Sequence, residues 1–278
     1  MSVAVFAIVL LGAMLHAGWN AIVKGAGDTR LTTVLVISTS ALIAAGTLPF
    51  LPQPAPESWP FLATTMVLQI VYFALVASAY AAADMSQIYP LMRGLAPLLV
   101  AVVGTMLLGE NPGPVGWVGI GLVCSGVLSL ALRGRAAGNG RGIALALTNA
   151  AVIASYTLVD GAGARLSGAP LSYTLWLNVL AGIPFLSWAL LSQRAALIAH
   201  VRRHWHLGIV GAVANIASYG LALWAMTQAP IAIVAALRET SILFGTVIAV
   251  LVLREKVDGM RIIATGIIAA GAIVLRLA

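Results

Sequence analysis

Long apolar stretches alternate with short polar breaks along the whole sequence. Each stretch holds about 20 mostly apolar residues, which is the length a helix needs to cross the hydrocarbon core of a bilayer. Proline, glycine and charged residues mark the breaks between the stretches. The pattern predicts ten transmembrane helices, over residues 3–24, 31–50, 60–81, 85–107, 114–132, 142–162, 170–192, 206–226, 230–252 and 259–277. Since no connection is long enough for a soluble domain, we predict an all-α polytopic membrane protein.

Matching residues recur at a fixed separation in the two halves of the chain. The pairs that lie 145 positions apart are Ile88 with Ile233, Arg93 with Arg238, Leu108 with Leu253, Glu110 with Glu255, Gly121 with Gly266 and Gly126 with Gly271. In addition, VKGAG at 23–27 matches VDGAG at 159–163. Each copy holds five helices, an odd number, so the second copy must enter the membrane upside down. We therefore expect two inverted five-helix repeats, residues 1–135 and 136–278, around a central cavity, an arrangement typical of secondary transporters.

Composition supports a membrane location and argues against nucleic acid as a partner. Hydrophobic residues make up 61% of the chain and charged residues 8%, against about 25% charged residues in a soluble domain. The net charge of +7 is spread over helix ends and forms no basic stripe. The cysteine at position 124 is alone, so neither a disulfide framework nor a cysteine-based metal site is predicted.

The basic residues are unevenly divided between the two membrane faces. One set of connections holds or adjoins Lys24, Arg30, Arg133, Arg135, Arg141, Arg194, Arg202, Arg203, Arg254, Lys256 and Arg261. The opposite side has only Arg165 and Arg276. By the positive-inside rule the first set is cytoplasmic, which would put both termini outside.

Three segments resemble a known family. They are HAGWNAIVKGAG at 16–27, LLGENPGPVGWVGIGLVCSGVL at 107–128 and its repeat LVLREKVDGMRIIATGIIAAGAIVL at 251–275. Together with the repeat and the helix count, they resemble the ten-helix EamA branch of the drug/metabolite transporter (DMT) superfamily. Among members of that branch, the chain is most similar to the YddG-type exporters of amino acids.

The resemblance implies a basket of helices around a central cavity. Predicted helices 1, 3, 4, 6, 8 and 9 would form the cavity, and helices 5 and 10 would lie at the periphery. It also implies cytoplasmic termini, which conflicts with the charge distribution and leaves the orientation open. Small multidrug members of the superfamily carry a glutamate in the first helix that couples protons to cations. This chain has none there, so proton-coupled export of cationic drugs is not expected.

Two arginines lie deep within predicted helices. An ionisable side chain inside the membrane costs about 2.5–3.5 kcal/mol on insertion scales and is a functional candidate by default. Arg93 lies in predicted helix 4, and its repeat mate Arg238 lies in predicted helix 9 beside Glu239. Arginine can bind a carboxylate through two parallel hydrogen bonds, which suits an amino acid or another organic anion. Alternatively, each arginine caps backbone carbonyls or pairs with a buried acid, and only fixes the helices.

Further candidates share faces of single helices and should point away from lipid. Histidine 16 could transfer protons or serve only in packing, and the asparagines could bind solute or only join helices. Glu110 and Glu255 are expected to interact with the ends of neighbouring helices. The predicted substrate-binding residues are His16, Trp19, Asn20, Tyr80, Tyr89, Arg93, Tyr156, Asn215, Tyr219 and Arg238.

Other classes of function fit the sequence less well. An intramembrane hydrolase needs a nucleophile with a base or clustered metal ligands, and neither pattern stands out. His200, His204 and His206 fall in the longest predicted connection, 193–206, where we expect a basic membrane-surface segment and not a metal site. A channel would need an acidic ring or a filter-like loop. The sequence predicts no enzyme activity, no cofactor and no metal.

The sequence therefore predicts an exporter or facilitator of small amphipathic metabolites, amino acids first, that works by alternating access. The alternative is a drug, sugar or nucleotide-sugar transporter of the same superfamily. The predicted partners are the solute and the lipid bilayer. We expect a monomer, because both inverted halves are present in one chain, and a location in the inner membrane of a bacterium.

Overall fold

The computed structural model describes residues 1–133, 140–252, 254 and 258–278. Over these residues the chain forms α-helices and short 3₁₀ turns, and they contain no strand. The α-helices are α1 Val3–Gly25, α2 Thr29–Thr47, α3 Trp59–Ala82, α4 Met85–Leu108, α5 Gly113–Ser129, α6 Gly140–Leu166, α7 Pro170–Ser192, α8 Arg194–Gln228, α9 Ile231–Arg238, α10 Ser241–Leu251 and α11 Gly259–Leu277.

The described helices are long and apolar enough to confirm an all-helical polytopic membrane fold. Nine segments of the described chain meet the length and hydropathy expected of a membrane span, and α5 is a shorter apolar helix. Helices α9 and α10 form one of these segments, Ile231–Leu251, which was predicted as a single helix. Its helical backbone is interrupted at Glu239 and Thr240.

Helix α8 departs most from the sequence prediction. It begins at Arg194, whereas the hydrophobic pattern placed its start at residue 206, and His204 interrupts it with a non-helical φ of −124°. Residues 194–203, within the predicted connection 193–206, are therefore helical, and the interruption at His204 separates them from the rest of α8. Arg194, Arg202 and Arg203 are exposed there, whereas Leu197 is buried and the Nε2 atom of His200 lies 3.0 Å from the Thr32 hydroxyl.

The three histidines of this region do not form a metal cluster. The rings of His200 and His204 lie 4.4 Å apart. No group of three or more potential metal ligands occurs among residues 1–133, 140–252, 254 and 258–278. His200 is instead used in packing α8 against α2.

Short polar residues set several helix starts. The Oδ1 atom of Asp28 accepts a hydrogen bond of 2.9 Å from the Leu31 N–H, and Asp258 accepts one of 3.0 Å from the Arg261 N–H. These bonds satisfy N–H groups that a helix leaves free at its first turn. Gly109 ends α4 with a φ of 65°, a left-handed conformation without steric cost for glycine. Its repeat counterpart, Arg254, also has a positive φ, of 53°, whereas Glu255, the counterpart of Glu110, lies outside the described residues.

Glycines bring α5 and α11 into direct contact. A Cβ atom on Gly126 would lie 2.8 Å from Ile268 Cγ1 and 3.1 Å from the Ala264 carbonyl oxygen. A Cβ on Gly271 would lie 2.8 Å from the backbone nitrogen of Val123. Gly126 and Gly271 are 145 positions apart, and so are Val123 and Ile268. The two sides of this interface therefore use corresponding positions of the predicted repeat, with small residues that let membrane helices approach closely.

Helix packing defines two faces of the molecule. Arg276 Nη1 donates a hydrogen bond of 2.7 Å to the carbonyl of Met1, so the two ends of the chain meet on one face, which we call the terminal face. The opposite face, where α1 ends, holds Lys24, Arg30 and Arg194, and we call it the basic face. The predicted boundary between the repeats, at residues 135 and 136, lies outside the described residues.

Candidate solute-binding site

A cavity of about 380 Å³ lies toward the basic face. Its volume is in the range that holds a small organic molecule. Helices α1, α4 and α10 supply most of the walls, and α5 and α11 contribute Val127 and Arg261. Helices α5 and α11 correspond to predicted helices 5 and 10, which were expected at the periphery. In the structure they pack against each other, and each still contributes a residue to the cavity wall. The polar lining residues are His16, Asn20, Lys24, Ser86, Tyr89, Ser241 and Arg261.

Arg93 is held by an acid from the other half of the chain. Its Nη2 atom lies 2.6 Å from Glu239 Oε1, and its Nε donates a hydrogen bond of 3.2 Å to Oε2. The two side chains are 16% and 5% exposed. Such a two-point contact is the strong form of an arginine–carboxylate pair. It joins α4 to the break between α9 and α10, and it is the pairing with a buried acid that was the alternative to solute binding by Arg93.

Arg238 has a different environment. Its guanidinium carbon lies 4.9 Å from the centre of the Tyr219 ring, a cation–π contact. Within the described part of the chain, no acid pairs with it. It borders a pocket of about 20 Å³ that Arg93, Tyr156 and Glu239 also line. Of these two half-buried arginines, only Arg93 has an acid as its salt-bridge partner among the described residues.

Asp160 lies on the other side of Tyr219 and is fully buried. One carboxylate oxygen accepts hydrogen bonds from the Thr65 hydroxyl, at 2.6 Å, and from the Tyr173 hydroxyl, at 3.3 Å. The other oxygen accepts a short hydrogen bond from the Tyr219 hydroxyl. These donors come from α3, α7 and α8. Tyr219 therefore contacts Arg238 through its ring and Asp160 through its hydroxyl.

The predicted residues of α1 lie at or beside the cavity. His16 and Asn20 line it. Trp19 packs edge-on against His16 with ring centres 5.5 Å apart. The Asn20 amide donates a hydrogen bond of 2.7 Å to the His16 carbonyl of its own helix. Residues 16 and 20 thus provide polar atoms at the cavity wall, whereas Trp19 supports the histidine ring.

The structure brings together some of the predicted tyrosines and separates others. Tyr89 lines the cavity, and Tyr156 borders the small pocket beside both arginines. Tyr80 packs against the buried cluster that contains Ile88 and Met92. Tyr89 therefore lies at the cavity wall and Tyr156 at the small pocket, and both Tyr80 and Tyr156 pack against the buried cluster.

Asn215 joins helices in this structure. Its amide nitrogen lies 3.2 Å from the Ser40 hydroxyl and 3.1 Å from the Asn178 side-chain oxygen. These contacts link α8 to α2 and α7. They match the helix-to-helix hydrogen bond that was the alternative to solute binding for the asparagines.

On the terminal face, a network of side chains joins the ends of several helices. Arg165 Nη1 lies 2.5 Å from Glu110 Oε1, and its Nε donates a hydrogen bond of 2.7 Å to the Met226 carbonyl. The second oxygen of Glu110 accepts a hydrogen bond of 2.9 Å from the Ile231 N–H. Glu110 thus caps the start of α9, as expected for a carboxylate at a helix N-terminus. The network joins the ends of α4, α6 and α8 to the start of α9.

The sequence analysis left Asp160 and Glu239 out of the predicted site. Both carried a usable signal, since an acid within an apolar helix is a functional candidate in the same way as an arginine. Their partners were not predictable, because Arg93 and Glu239 are 146 positions apart and Thr65 and Asp160 are 95 apart. Only the packing of distant helices brings these groups together.

Comparison with known proteins gives a family match for the second part of the chain and a fold for all of it. Residues 140–277 match the EamA-like transporter family. A solved crystal structure, described only as that of a protein, is similar over 100% of this chain and 98% of its own, with a TM-score of 0.76 and 18% identity. At that identity the likeness shows the fold alone. No curated protein matches the chain.

Proposed function

Starting from the EamA-like transporter domain at residues 140–277, we propose that this chain transports small amphipathic metabolites that carry a carboxylate, amino acids first. The observation that carries the proposal is Arg238. It borders the small pocket that Tyr156 also lines, its guanidinium lies over the Tyr219 ring, and among the described residues no acid forms a salt bridge with it. An ionisable side chain within a membrane span is a functional candidate by default. A solute carboxylate is a partner of the right charge and shape.

The surroundings of Arg238 suit the remaining part of such a solute. Tyr156 borders the small pocket beside the arginine, and Tyr89, Ile242 and Ile248 line the cavity of about 380 Å³. The cavity of about 380 Å³ matches an amino acid more closely than a nucleotide sugar. The bulkier drugs, sugars and nucleotide sugars of the superfamily are therefore the second candidate.

The proposed mechanism is alternating access. The cavity lies toward the basic face, and the Glu110–Arg165 network closes the terminal face. Rocking of one half against the other would break this network and expose Arg238 to the terminal face. The chain would act as a monomer within the bilayer, in the inner membrane of a bacterium. Direction of transport would follow the solute's own gradient.

The test is uptake of a panel of radiolabelled amino acids and N-acetyl amino acids into proteoliposomes. We expect saturable uptake by the wild type and a loss of at least tenfold in Arg238→Gln, which removes the charge and keeps a similar length. Thr33→Ala, at an exposed position of α2 that bonds only within its own helix, is the control. Folded protein without uptake across the panel would contradict the proposal, as would full activity in Arg238→Gln.

A further inference from the structure

Four charged side chains interact in the interior of the described chain. Arg93 and Glu239 form one pair, and Arg238 and Asp160 contact the ring and the hydroxyl of Tyr219. With both acids ionised, two positive and two negative charges cancel. An uncompensated charge is costly in such an environment, so a balanced set is the stable condition of the empty site.

A solute carboxylate at Arg238 would upset this balance by one negative charge. The charge is compensated if one of the two acids binds a proton. Glu239 is unsuited to this, because two hydrogen bonds from a guanidinium stabilise its ionised form. Asp160 receives its hydrogen bonds only from the uncharged hydroxyls of Thr65, Tyr173 and Tyr219. No cation touches it in the described structure.

We propose that Asp160 binds one proton whenever a solute with a carboxylate and no compensating positive charge binds at Arg238, so that the chain moves the two together. The inference rests on the proposed function, and it adds a coupling ion to it. A zwitterionic solute, whose ammonium group balances its own carboxylate, would need no proton.

The proton can be placed without breaking the local contacts. An O–H bond forms at the Asp160 oxygen that faces Tyr219 and donates to the tyrosine oxygen, since a hydroxyl can accept as well as donate. The Tyr219 hydrogen then turns to another acceptor. The proton enters from water on the face where the solute enters. When the site opens to the opposite face, the O–H bond breaks and the proton leaves with the solute.

Other titratable groups face the same region from the helices that pack on α6, which are α3, α4, α7, α8 and α9. They are Tyr173 on α7, Tyr219 on α8, Arg238 and the adjoining Glu239 at the end of α9, Arg93 on α4, Tyr72 on α3 and Tyr156 on α6 itself, and α3 also supplies the neutral Thr65. Tyrosine hydroxyls keep their protons at neutral pH. His16 on α1 interacts electrostatically with both arginines, so it is the competing proton carrier.

The experiment uses two probes that differ only in charge, N-acetyl-L-phenylalanine, an anion, and L-phenylalanine, a zwitterion. Each is radiolabelled and offered to proteoliposomes whose outside is one pH unit more acidic than the lumen, with the membrane potential clamped. We expect the wild type to concentrate the anion up to about tenfold, because one pH unit equals a tenfold ratio. Phenylalanine should only equilibrate. Protein-free liposomes measure passive entry of the undissociated acid.

Asp160→Asn imitates the protonated acid and cannot release a proton. It should still exchange the anion at equal pH, but it should lose the response to the pH gradient. If exchange is lost as well, Asp160→Glu, which retains an acid, should restore accumulation, and its failure to do so overturns the proposal. Accumulation that persists in Asp160→Asn, or that His16→Gln abolishes in its place, also overturns it.

The two proposals fail in different ways. Uptake of either probe that ignores the pH gradient would overturn proton coupling and leave the transport function standing. Uptake of phenylalanine with none of the N-acetyl derivative would do the same. Absence of uptake for every solute tested would overturn the transport function itself.

Discussion

The repeat makes Arg93 and Arg238 equivalent in sequence, yet their surroundings differ. Arg93 is followed by Gly94, whereas Arg238 is followed by Glu239. Only the second copy therefore carries an acid next to its arginine, and Glu239 bonds to Arg93 of the other half. Arg238 lies over the face of Tyr219. A single difference between the two copies thus gives Arg93 a salt-bridge partner that Arg238 lacks among the described residues.

At the scale of single residues, we predict that Arg93→Gln lowers the stability of the protein. Removing one member of a buried ion pair leaves the other charge uncompensated, which costs about 3–5 kcal/mol. The thermal unfolding midpoint of the purified protein in detergent should fall clearly. The double variant Arg93→Gln with Glu239→Gln should recover most of the loss, since it leaves no lone charge. Equal midpoints for the single and double variants would contradict a direct pairing.

At the scale of single helices, the segment Ile231–Leu251 contains a break that its sequence does not predict. No proline or glycine lies between Ile231 and Phe244, and the hydrophobic pattern is continuous. The structure nevertheless ends α9 at Arg238 and restarts the helix at Ser241. The Thr240 hydroxyl bonds back to the Leu237 carbonyl at 2.6 Å, and Glu239 bonds to Arg93 of α4. The break therefore coincides with a contact from another helix.

The contact between α5 and α11 gives a prediction for Gly126→Ala. The added methyl group would meet backbone atoms of α11 at 3.1 Å, which cannot move away as a side chain end can. We expect a destabilisation of about 1–3 kcal/mol, typical of overpacking, seen as a lower unfolding midpoint. Gly121→Ala on the same helix is the matched control, since nothing lies within 4 Å of its new methyl group. Equal behaviour of the two variants would contradict this packing.

At the scale of the whole molecule, the cavity of about 380 Å³ lies toward one face, and the Glu110–Arg165 network lies on the other. The cavity approaches the basic face at Lys24 and Arg261. On the terminal face, Glu110 and Arg165 connect four helix ends. These two features give the proposed transport cycle its starting state, with the site reachable from the basic face. The topology of the chain in the membrane decides whether the basic face lies in the cytoplasm or outside it.

The charge distribution predicts a cytoplasmic basic face, opposite to the orientation that the family resemblance implies. Cysteine labelling in cells distinguishes the two, and the buried native Cys124 gives little background. We expect Ser2→Cys, at the terminal face, to react with a membrane-impermeant thiol reagent in intact cells. Arg202→Cys, at an exposed position of α8, should react only after permeabilisation. The reverse pattern would place the termini in the cytoplasm.

The sequence by itself determined the membrane class, the approximate position of most spans and the residue types able to bind a carboxylate. These follow from local properties, because a spanning helix must be apolar over about 20 residues and a buried charge is rare enough to stand out. It did not predict that residues 194–203 are helical, because their arginines interrupt the apolar pattern, although Leu197 and His200 are buried.

Only the tertiary structure decided which polar groups meet. The partners Arg93 and Glu239, Asp160 and Thr65, and Glu110 and Arg165 come from different helices and lie 146, 95 and 55 positions apart. Hydropathy reports the environment of one segment and carries no information about the segment across from it. The pairing of helices, and with it the choice of Arg238 over Arg93 as the open guanidinium, is set by how the two halves pack together.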